Sequence, residues 1–333
     1  MVDFSHYIKA KSIADTYIQH KKDLNGTTKK QHFFSRLSLC EGYRDILNDN
    51  RAKTNLFKWT YDDLKKKLDK TWDELWDENI QIDEYGYKKE IKKEENEDIK
   101  FYFGMTDIVG EVCILIRNNQ ELPDNIEKKI NRKNLLRMIE IANADKVIRD
   151  LEGTTCVNGI GEIMCLKWLK NNLVPLDWSY INGCFEGIWK YYLEKCGNEE
   201  WKKSKKKLHN YIYGLTHCII NLSNYYTAVN RVQNNEIFLD EVIHTKDMLC
   251  NIVESQKSSN YSLFNDDTLA EILLTIKLCG GEYNTERLVA LDALSLRFDS
   301  AKLIFREHKQ NNFKEELLLN EHTNILYILN VLF

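Results

Sequence analysis

Residues 107–116, DIVGEVCILI, and 267–276, DTLAEILLTI, begin with an aspartate, carry a glutamate four positions later and continue as a largely apolar run. The pattern recurs in 158–168, NGIGEIMCLKW, and, with histidine in place of glutamate, in 213–222, YGLTHCIINL. A fifth stretch, 318–326, LLNEHTNIL, fits the pattern less well. Runs that are apolar on nearly all sides are typical of helices enclosed by other helices. These five stretches decide the fold class.

The second polar position of the repeat is evenly spaced along the chain. It is occupied by Glu111, Glu162, His217, Glu271 and His322, at successive intervals of 51, 55, 54 and 51 residues. A period near fifty residues is typical of stacked helical hairpins, in which each repeat contributes two helices. The 333 residues include only 2 prolines and 14 glycines, which favours long helices over a strand-rich fold.

A second, more amphipathic helical pattern lies in each interval between repeats, at residues 132–151, 178–193, 237–253 and 286–298. Enclosed inner helices with amphipathic helices outside them are the arrangement of an α/α toroid. The sequence therefore predicts an all-α protein whose hairpins close into such a toroid. An open α-solenoid is the alternative, because stacked hairpins also form open arrays.

The repeats also suggest how the chain is divided. Residues 1–86 are predicted to form an N-terminal helical region, since apolar residues recur at three-to-four spacing in 31–47 and again in 59–76. The charge-dense stretch 87–100, YKKEIKKEENEDIK, marks the boundary and is typical of a solvated loop or helix face. Residues 100–333 are predicted to form the toroid, as one compact unit with the N-terminal region.

Composition excludes several classes of protein. The 47 basic and 51 acidic residues give a net charge of −4, whereas a general nucleic-acid binder normally carries a concentrated basic surface. We find no run of about 18 apolar residues that would span a membrane and no signal-peptide pattern at the N-terminus. The nine cysteines are scattered without a Cys-x-x-Cys pair, which predicts reduced, buried thiols in a cytoplasmic protein.

The repeat predicts a functional site. If the five polar residues each begin an inner helix, they meet at one mouth of the ring and face one central cavity. Two chemistries fit such a cavity. In the first, His217, His322 and Glu271 bind zinc, iron or manganese. In the second, which needs no cofactor, Glu111, Glu162 and Glu271 act as acid and base.

A second tier of polar residues surrounds these five. In a helix, residues four positions apart lie on the same face, so Asp107, Asn158 and Asp267 accompany the glutamates that follow them. The predicted second tier comprises Asp107, Asn158, Tyr213, Asn221, Asp267, Glu321 and Asn324. A structural alternative is that each glutamate caps a helix N-terminus, where the helix dipole favours negative charge. That alternative does not account for the two histidines, because a cation is disfavoured there.

Two resemblances follow from these motifs. The pieces Gly214-Leu-Thr-His217, Asp267-Thr-Leu-Ala-Glu271 and Glu321-His322-Thr-Asn324 resemble a bacterial family of helical domains without an assigned function, over about the C-terminal 130 residues. Gly214-Leu-Thr-His217 is also similar to the Gly-x-x-His repeats of lanthionine-forming cyclases, a family of α/α toroids with a catalytic zinc. Glu321-His322 stands where that family has a Cys-His zinc-binding pair, and no cysteine lies near Asp267. The resemblance therefore implies the architecture without the thiolate-rich zinc site.

The sequence thus predicts an enzyme with a polar cavity lined by glutamate and histidine, acting on a small molecule, a peptide or a carbohydrate-like substrate. In the metal-dependent form the bound ion activates water or oxygen, or polarises a substrate carbonyl. The alternative is a helical-repeat interaction module without catalysis, in which the same polar residues form a recognition ridge.

Overall fold

The computed structural model describes residues 4–20, 50–80, 87–93, 96–168, 174–226 and 229–332. Within these ranges the chain forms sixteen α-helices and no β-strand, so the prediction of an all-α fold is confirmed. The helices are α1 (Phe4–Gln19), α2 (Asn50–Leu68), α3 (Trp72–Asn79), α4 (Tyr87–Lys93), α5 (Glu97–Arg117), α6 (Arg132–Ala144), α7 (Lys146–Leu151), α8 (Gly153–Trp168), α9 (Trp178–Gly197), α10 (Lys205–Leu222), α11 (Val229–Gln233), α12 (Leu239–Ser255), α13 (Asp266–Leu278), α14 (Thr285–Ser295), α15 (Phe313–Leu319) and α16 (Glu321–Leu332). The helix predicted over 31–47 lies outside the described residues.

The helices belong to two compact units. Residues Lys53–Asn224 form the continuous unit, which contains nearly all of α2 and the helices α3 to α10. Residues Met1–Ala52 and Tyr225–Phe333 form the discontinuous unit, which contains α1 and α11 to α16. The boundary predicted at 87–100 falls inside the continuous unit, where α4 and the first turn of α5 occupy this charged stretch.

In the continuous unit the repeat helices lie side by side. Helix α8 packs between α5 and α10, and these three helices carry the first three repeats along the chain. Helices α6 and α9 pack against α8, and each also packs against one of its neighbours. They correspond to the amphipathic patterns predicted at 132–151 and 178–193. The first of these patterns is interrupted at Asp145, which caps α7.

The discontinuous unit repeats this packing. Helices α13 and α16, which carry the last two repeats, lie against each other. Helices α12 and α14 pack against α13, and α1 packs against α16. Side-by-side repeat helices with a second set of helices upon them are common to a toroid and to a solenoid, and the choice between the two stays a prediction.

The polar repeat positions do not all begin their helices, which corrects the predicted register. Glu111 lies in the last two turns of α5, Glu162 in the middle of α8 and His217 in the second half of α10. Glu271 lies in the second turn of α13, and only His322 is at the start of its helix, α16. Helices α5 and α10 begin earlier because capping side chains, Asn96 and Ser204, accept hydrogen bonds from their first-turn amides.

Candidate functional site

Asp267, Glu271 and His322 come together in the discontinuous unit, from the adjacent helices α13 and α16. Nδ1 of His322 lies 2.6 Å from Oδ1 of Asp267, and its Nε2 lies 4.0 Å from Oε2 of Glu271. The hydroxyl of Thr323 donates to the same aspartate oxygen at 3.0 Å. One ligand atom from each of the three residues lies within 4.8 Å of the other two. Among the described residues, only this group of histidine, cysteine and acidic side chains has the spacing of a metal site.

The electrostatics of this group centre on His322. Burial alone would lower the pKa of His322, but the Asp267 carboxylate, with Glu271 and Glu321 adding to it, raises that pKa to about 9. Glu271 is only 1% exposed and Glu321 is also buried. Carboxylates buried together need a compensating cation. In the metal-free protein the imidazolium of His322 supplies one.

His217 has an equivalent partner in the continuous unit. Its Nδ1 lies 2.9 Å from Oδ1 of Asn158, so the second-tier residue of α8 contacts the histidine of the next repeat helix, α10. Nδ2 of Asn221 donates to the same Asn158 oxygen at 2.9 Å and to the main-chain carbonyl of His217 at 2.8 Å. A carbonyl can only accept, which fixes the orientation of both amides and requires Nδ1 of His217 to donate. In neutral His217 the Nε2 atom is therefore the acceptor.

Two residues of the repeats, Gly161 and Tyr213, lie close to His217 or to its partner Asn221. Gly161 of α8 lies directly against the Asn221 side chain, and a Cβ atom there would collide with it. The predicted second-tier residue Tyr213 stacks with His217, with ring centroids 6.1 Å apart, and its other neighbour His209 stacks at 4.3 Å. These rings lie at intervals of four along α10 and form one face of the helix.

A third cluster lies where α2 meets α5. The ammonium of Lys67, which is fully buried, lies 2.6 Å from Oδ2 of Asp107 and 3.2 Å from Oδ2 of Asp63, and it also pairs with Glu111. Burial opposes its charge, but the three carboxylates outweigh this and raise the pKa of Lys67. Lys67 thus supplies one positive charge to a cluster of three acidic side chains in the same unit.

Glu111 is the least exposed of the three carboxylates around Lys67. Burial, opposed by Lys67 and assisted by Asp107 and Asp63, raises the pKa of Glu111 to about 8. One lysine cannot neutralise three carboxylates, and Glu111, the most buried of them, is the one whose protonated form is favoured. We expected this residue to face an open cavity, but its contacts are those of a buried ion cluster.

The remaining predicted residues have different surroundings. Glu162 is buried on α8, close enough to Tyr102 and Cys113 to raise the pKa of both, although burial is the larger cause. The amide of Asn324, predicted in the second tier, instead pairs with the main chain of Phe305 on both its oxygen and its nitrogen. Asn324 therefore holds a loop and is not directed at His322.

The structure thus joins Asp267 and Glu271 with His322, Asn158 and Asn221 with His217, and Asp107 and Glu111 with Lys67. These are three clusters in two units, and the single five-residue chamber stays a prediction. Sequence reasoning missed Lys67 and Glu307, whose carboxylate accepts from the main-chain N–H of Asp267, and did not include Tyr226 among the site residues. Only Lys67 had a sequence signal, because Thr60, Leu64, Lys67 and Leu68 share one helical face and all are buried.

Tyr226 belongs to the surroundings of Asp267 and Glu271. Burial, followed by the charges of Glu271 and Asp267, raises its pKa well above the usual value. Its φ of 68° and that of Tyr225, 53°, lie in the left-handed region, which is rare for residues of this size. Such backbone conformations are found at functional sites more often than elsewhere.

The chain matches no protein-family model, and neither the curated proteins nor the solved structures include one that it resembles significantly. The two resemblances described above therefore stay predictions. Within the described ranges, no helix has both the length and the apolar composition that a membrane span requires.

Proposed function

We propose that this protein is a metal-dependent enzyme in which Glu271 and His322 bind a divalent transition metal and Asp267 orients the imidazole of His322. The observation that carries the proposal is the convergence of two carboxylates and one imidazole, with ligand atoms within 4.8 Å of one another. Mixed carboxylate and imidazole ligands suit zinc, iron or manganese. The predicted ligand His217 lies in the other unit, so the proposed ligands are Glu271 and His322, and Asp267 keeps its predicted second-tier role.

The distances fit this assignment. Metal–ligand bonds of about 2.0–2.2 Å place two ligand atoms at most about 4.4 Å apart across one ion. Nε2 of His322 and Oε2 of Glu271 are 4.0 Å apart, so a small movement of either side chain would suit coordination. A histidine that binds a metal through one nitrogen commonly donates its other N–H to a carboxylate, as Nδ1 of His322 does to Asp267.

Several features of this chain support chemistry at the site. A metal of this kind would polarise a substrate carbonyl or lower the pKa of bound water. Around it, Asp267 fixes the imidazole ring, Thr323 fixes the Asp267 carboxylate, and the buried Glu271 contributes negative charge that favours a divalent cation. We include a peptide, carbohydrate-like or other small-molecule substrate in the proposal, because each offers an oxygen atom that a bound metal can polarise.

The predicted cytoplasmic location is also part of this proposal. All eight cysteines among the described residues are free thiols, and seven of them are buried. Reduced cysteines of this kind suit a reducing compartment.

Metal binding to the full-length protein tests the proposal. After treatment with EDTA and its removal by dialysis, Zn²⁺, Mn²⁺ and Fe²⁺ are titrated separately under anaerobic conditions, and bound metal is counted by elemental analysis. We expect one ion per chain in the wild-type protein and a loss of at least tenfold in affinity for Glu271→Gln and His322→Ala. His244→Ala, which removes an exposed histidine of the same unit, is the matched control and should bind as the wild type does.

Circular dichroism of each variant separates loss of a ligand from loss of fold. Wild-type protein that retains none of the three metals would overturn the proposal, as would equal metal binding by the wild type and a folded His322→Ala variant. Binding that also disappears in His244→Ala would show that the ion is held elsewhere.

A further inference from the structure

The loop between α14 and α15 is tied to residues on both sides of His322, Asn320 just before α16 and Asn324 in its first turn. The amide of Asn324 accepts from the N–H of Phe305 at 2.9 Å and donates to its carbonyl at 3.1 Å. The amide of Asn320 makes the same pair of bonds with His308, at 2.8 and 2.9 Å. Both asparagines are almost fully buried. We call residues 304–310 the strap, and the four hydrogen bonds that Asn320 and Asn324 make with it the clamp.

Further contacts fix the strap at its other positions. Arg306 pairs with Oδ2 of Asp299 at 2.8 Å and with the buried carboxylate of Glu316. The same Glu316 carboxylate accepts from the main-chain N–H of Gln310 at 2.9 Å. The strap lacks regular secondary structure, yet four of its seven residues, Phe305, Arg306, His308 and Gln310, are anchored. A segment held this closely can place a side chain accurately.

The strap places Glu307 against the start of α13. Its Oε2 accepts from the main-chain N–H of Asp267 at 3.3 Å. This N–H belongs to the first turn of the helix, where amides have no acceptor within the helix. The side chain of the capping residue, Asn265, is used by the next amide, Thr268, at 2.7 Å. Glu307 therefore supplies an acceptor that α13 itself does not provide.

We propose that the strap positions the metal site and that Glu307 acts through Asp267. The proposal rests on the proposed metal function. By holding the main chain of Asp267, Glu307 fixes the carboxylate that orients the ring of His322. The hydrogen bonds of Asn320 and Asn324 fix the distance between the strap and the start of α16, which carries His322. Glu307 is thus a positioning residue that acts through Asp267, and Glu271 and His322 remain the ligands.

The first test uses metal-free, full-length protein and does not depend on metal binding. Hydrogen exchange of the Asp267 amide and the imidazole signals of His322 are measured by NMR. In Glu307→Ala we expect the amide to exchange at least tenfold faster and the imidazole signals to shift. Glu307→Gln keeps an oxygen acceptor and should restore both readouts. Glu315→Ala removes an exposed carboxylate of α15 and is the control for charge.

The second test measures metal affinity of the same variants. Loss of a residue that orients a ligand commonly weakens metal binding by about 10- to 100-fold, and we expect this for Glu307→Ala but not for Glu307→Gln or Glu315→Ala. If Glu307→Gln loses affinity as strongly as Glu307→Ala while the Asp267 amide stays protected, Glu307 is itself a ligand and the positioning role is wrong.

The two proposals fail in different ways. Wild-type protein that binds no metal overturns the proposed function, while the exchange and imidazole data still decide whether the strap holds Asp267. An unchanged Asp267 amide and unchanged His322 signals in Glu307→Ala overturn the strap proposal whatever the metal titration shows.

Discussion

Nδ1 of His322 donates to Oδ1 of Asp267 across 2.6 Å, and this contact joins two successive repeat helices of the discontinuous unit. The equivalent helices of the continuous unit are joined by Nδ1 of His217 and Oδ1 of Asn158, at 2.9 Å. The repeat therefore places the same nitrogen against the same kind of oxygen in both units. The chemical difference is that one partner is a carboxylate and the other is an amide. A carboxylate stabilises imidazolium, whereas an uncharged amide gives no such Coulomb attraction.

Replacing each partner by the other type should shift the pKa values of the two histidines in opposite directions. In metal-free protein, Asp267→Asn removes the carboxylate that raises the pKa of His322 to about 9, so this pKa should fall. Asn158→Asp introduces a carboxylate beside His217 and should raise the pKa of that histidine. NMR titration of the imidazole protons measures both changes. A pKa of His322 that stays near 9 in Asp267→Asn would show that Glu271 and Glu321 are sufficient to raise it.

The Lys67 cluster should be essential for stability. Removal of one partner from a buried ion pair commonly costs about 3–5 kcal/mol, because the remaining charge is left without compensation. We expect Lys67→Met to lower the free energy of unfolding in urea by an amount in this range. Lys66→Met, an exposed neighbour on the same helix, should change it by less than about 0.5 kcal/mol. A loss no larger than that of the control would show that Lys67 is not needed to balance the acidic residues.

The protonation of Glu111 makes a separate prediction about pH. Its pKa is raised from 4.5 to about 8 in the folded protein, so the folded state binds this proton more tightly than the unfolded chain does. The stabilising contribution is complete below about pH 4.5 and is lost as the pH rises through about 8. In Glu111→Gln, the free energy of unfolding should therefore decrease less between pH 5 and pH 9 than in the wild type. Parallel pH profiles of the two proteins would contradict the assignment.

The all-α class was predictable because helices show their period locally in the sequence. The apolar runs and the amphipathic intervals correctly placed α8, α9 and α12. Apolar residues recur at the helical period on the buried faces of a helix, so the sequence alone shows where such helices lie. The helix starts were less accurate. Residues 101–103 of α5 are aromatic and buried, so the helix extends well upstream of the apolar run that marked the repeat.

The site was only partly predictable, for a physical reason. Asp267 and Glu271 share a helix face, and the repeat related them to His322, so their proximity followed from spacing. Glu307 contacts Asp267 through a main-chain N–H, which any residue type provides, and it lies in a loop without periodicity. A contact to a main-chain N–H therefore cannot be predicted from the pattern of side chains in the sequence. Lys67 sits in a run of three lysines, where its burial depends on the helix that packs against it.

The close packing of α9 against α10 can be tested with two glycines. A Cβ at Gly214 of α10 would collide with the ring of Tyr192, which is fully buried on α9, whereas a Cβ at Gly183 of α9 would meet nothing within 4 Å. Gly214→Ala should therefore lower the free energy of unfolding by about 1–3 kcal/mol, because a packed aromatic ring must move. Gly183→Ala should instead raise it by up to about 1 kcal/mol, since alanine favours an exposed helical position. Urea unfolding of both variants measures the difference, and equal effects would mean that α9 and α10 do not approach each other this closely.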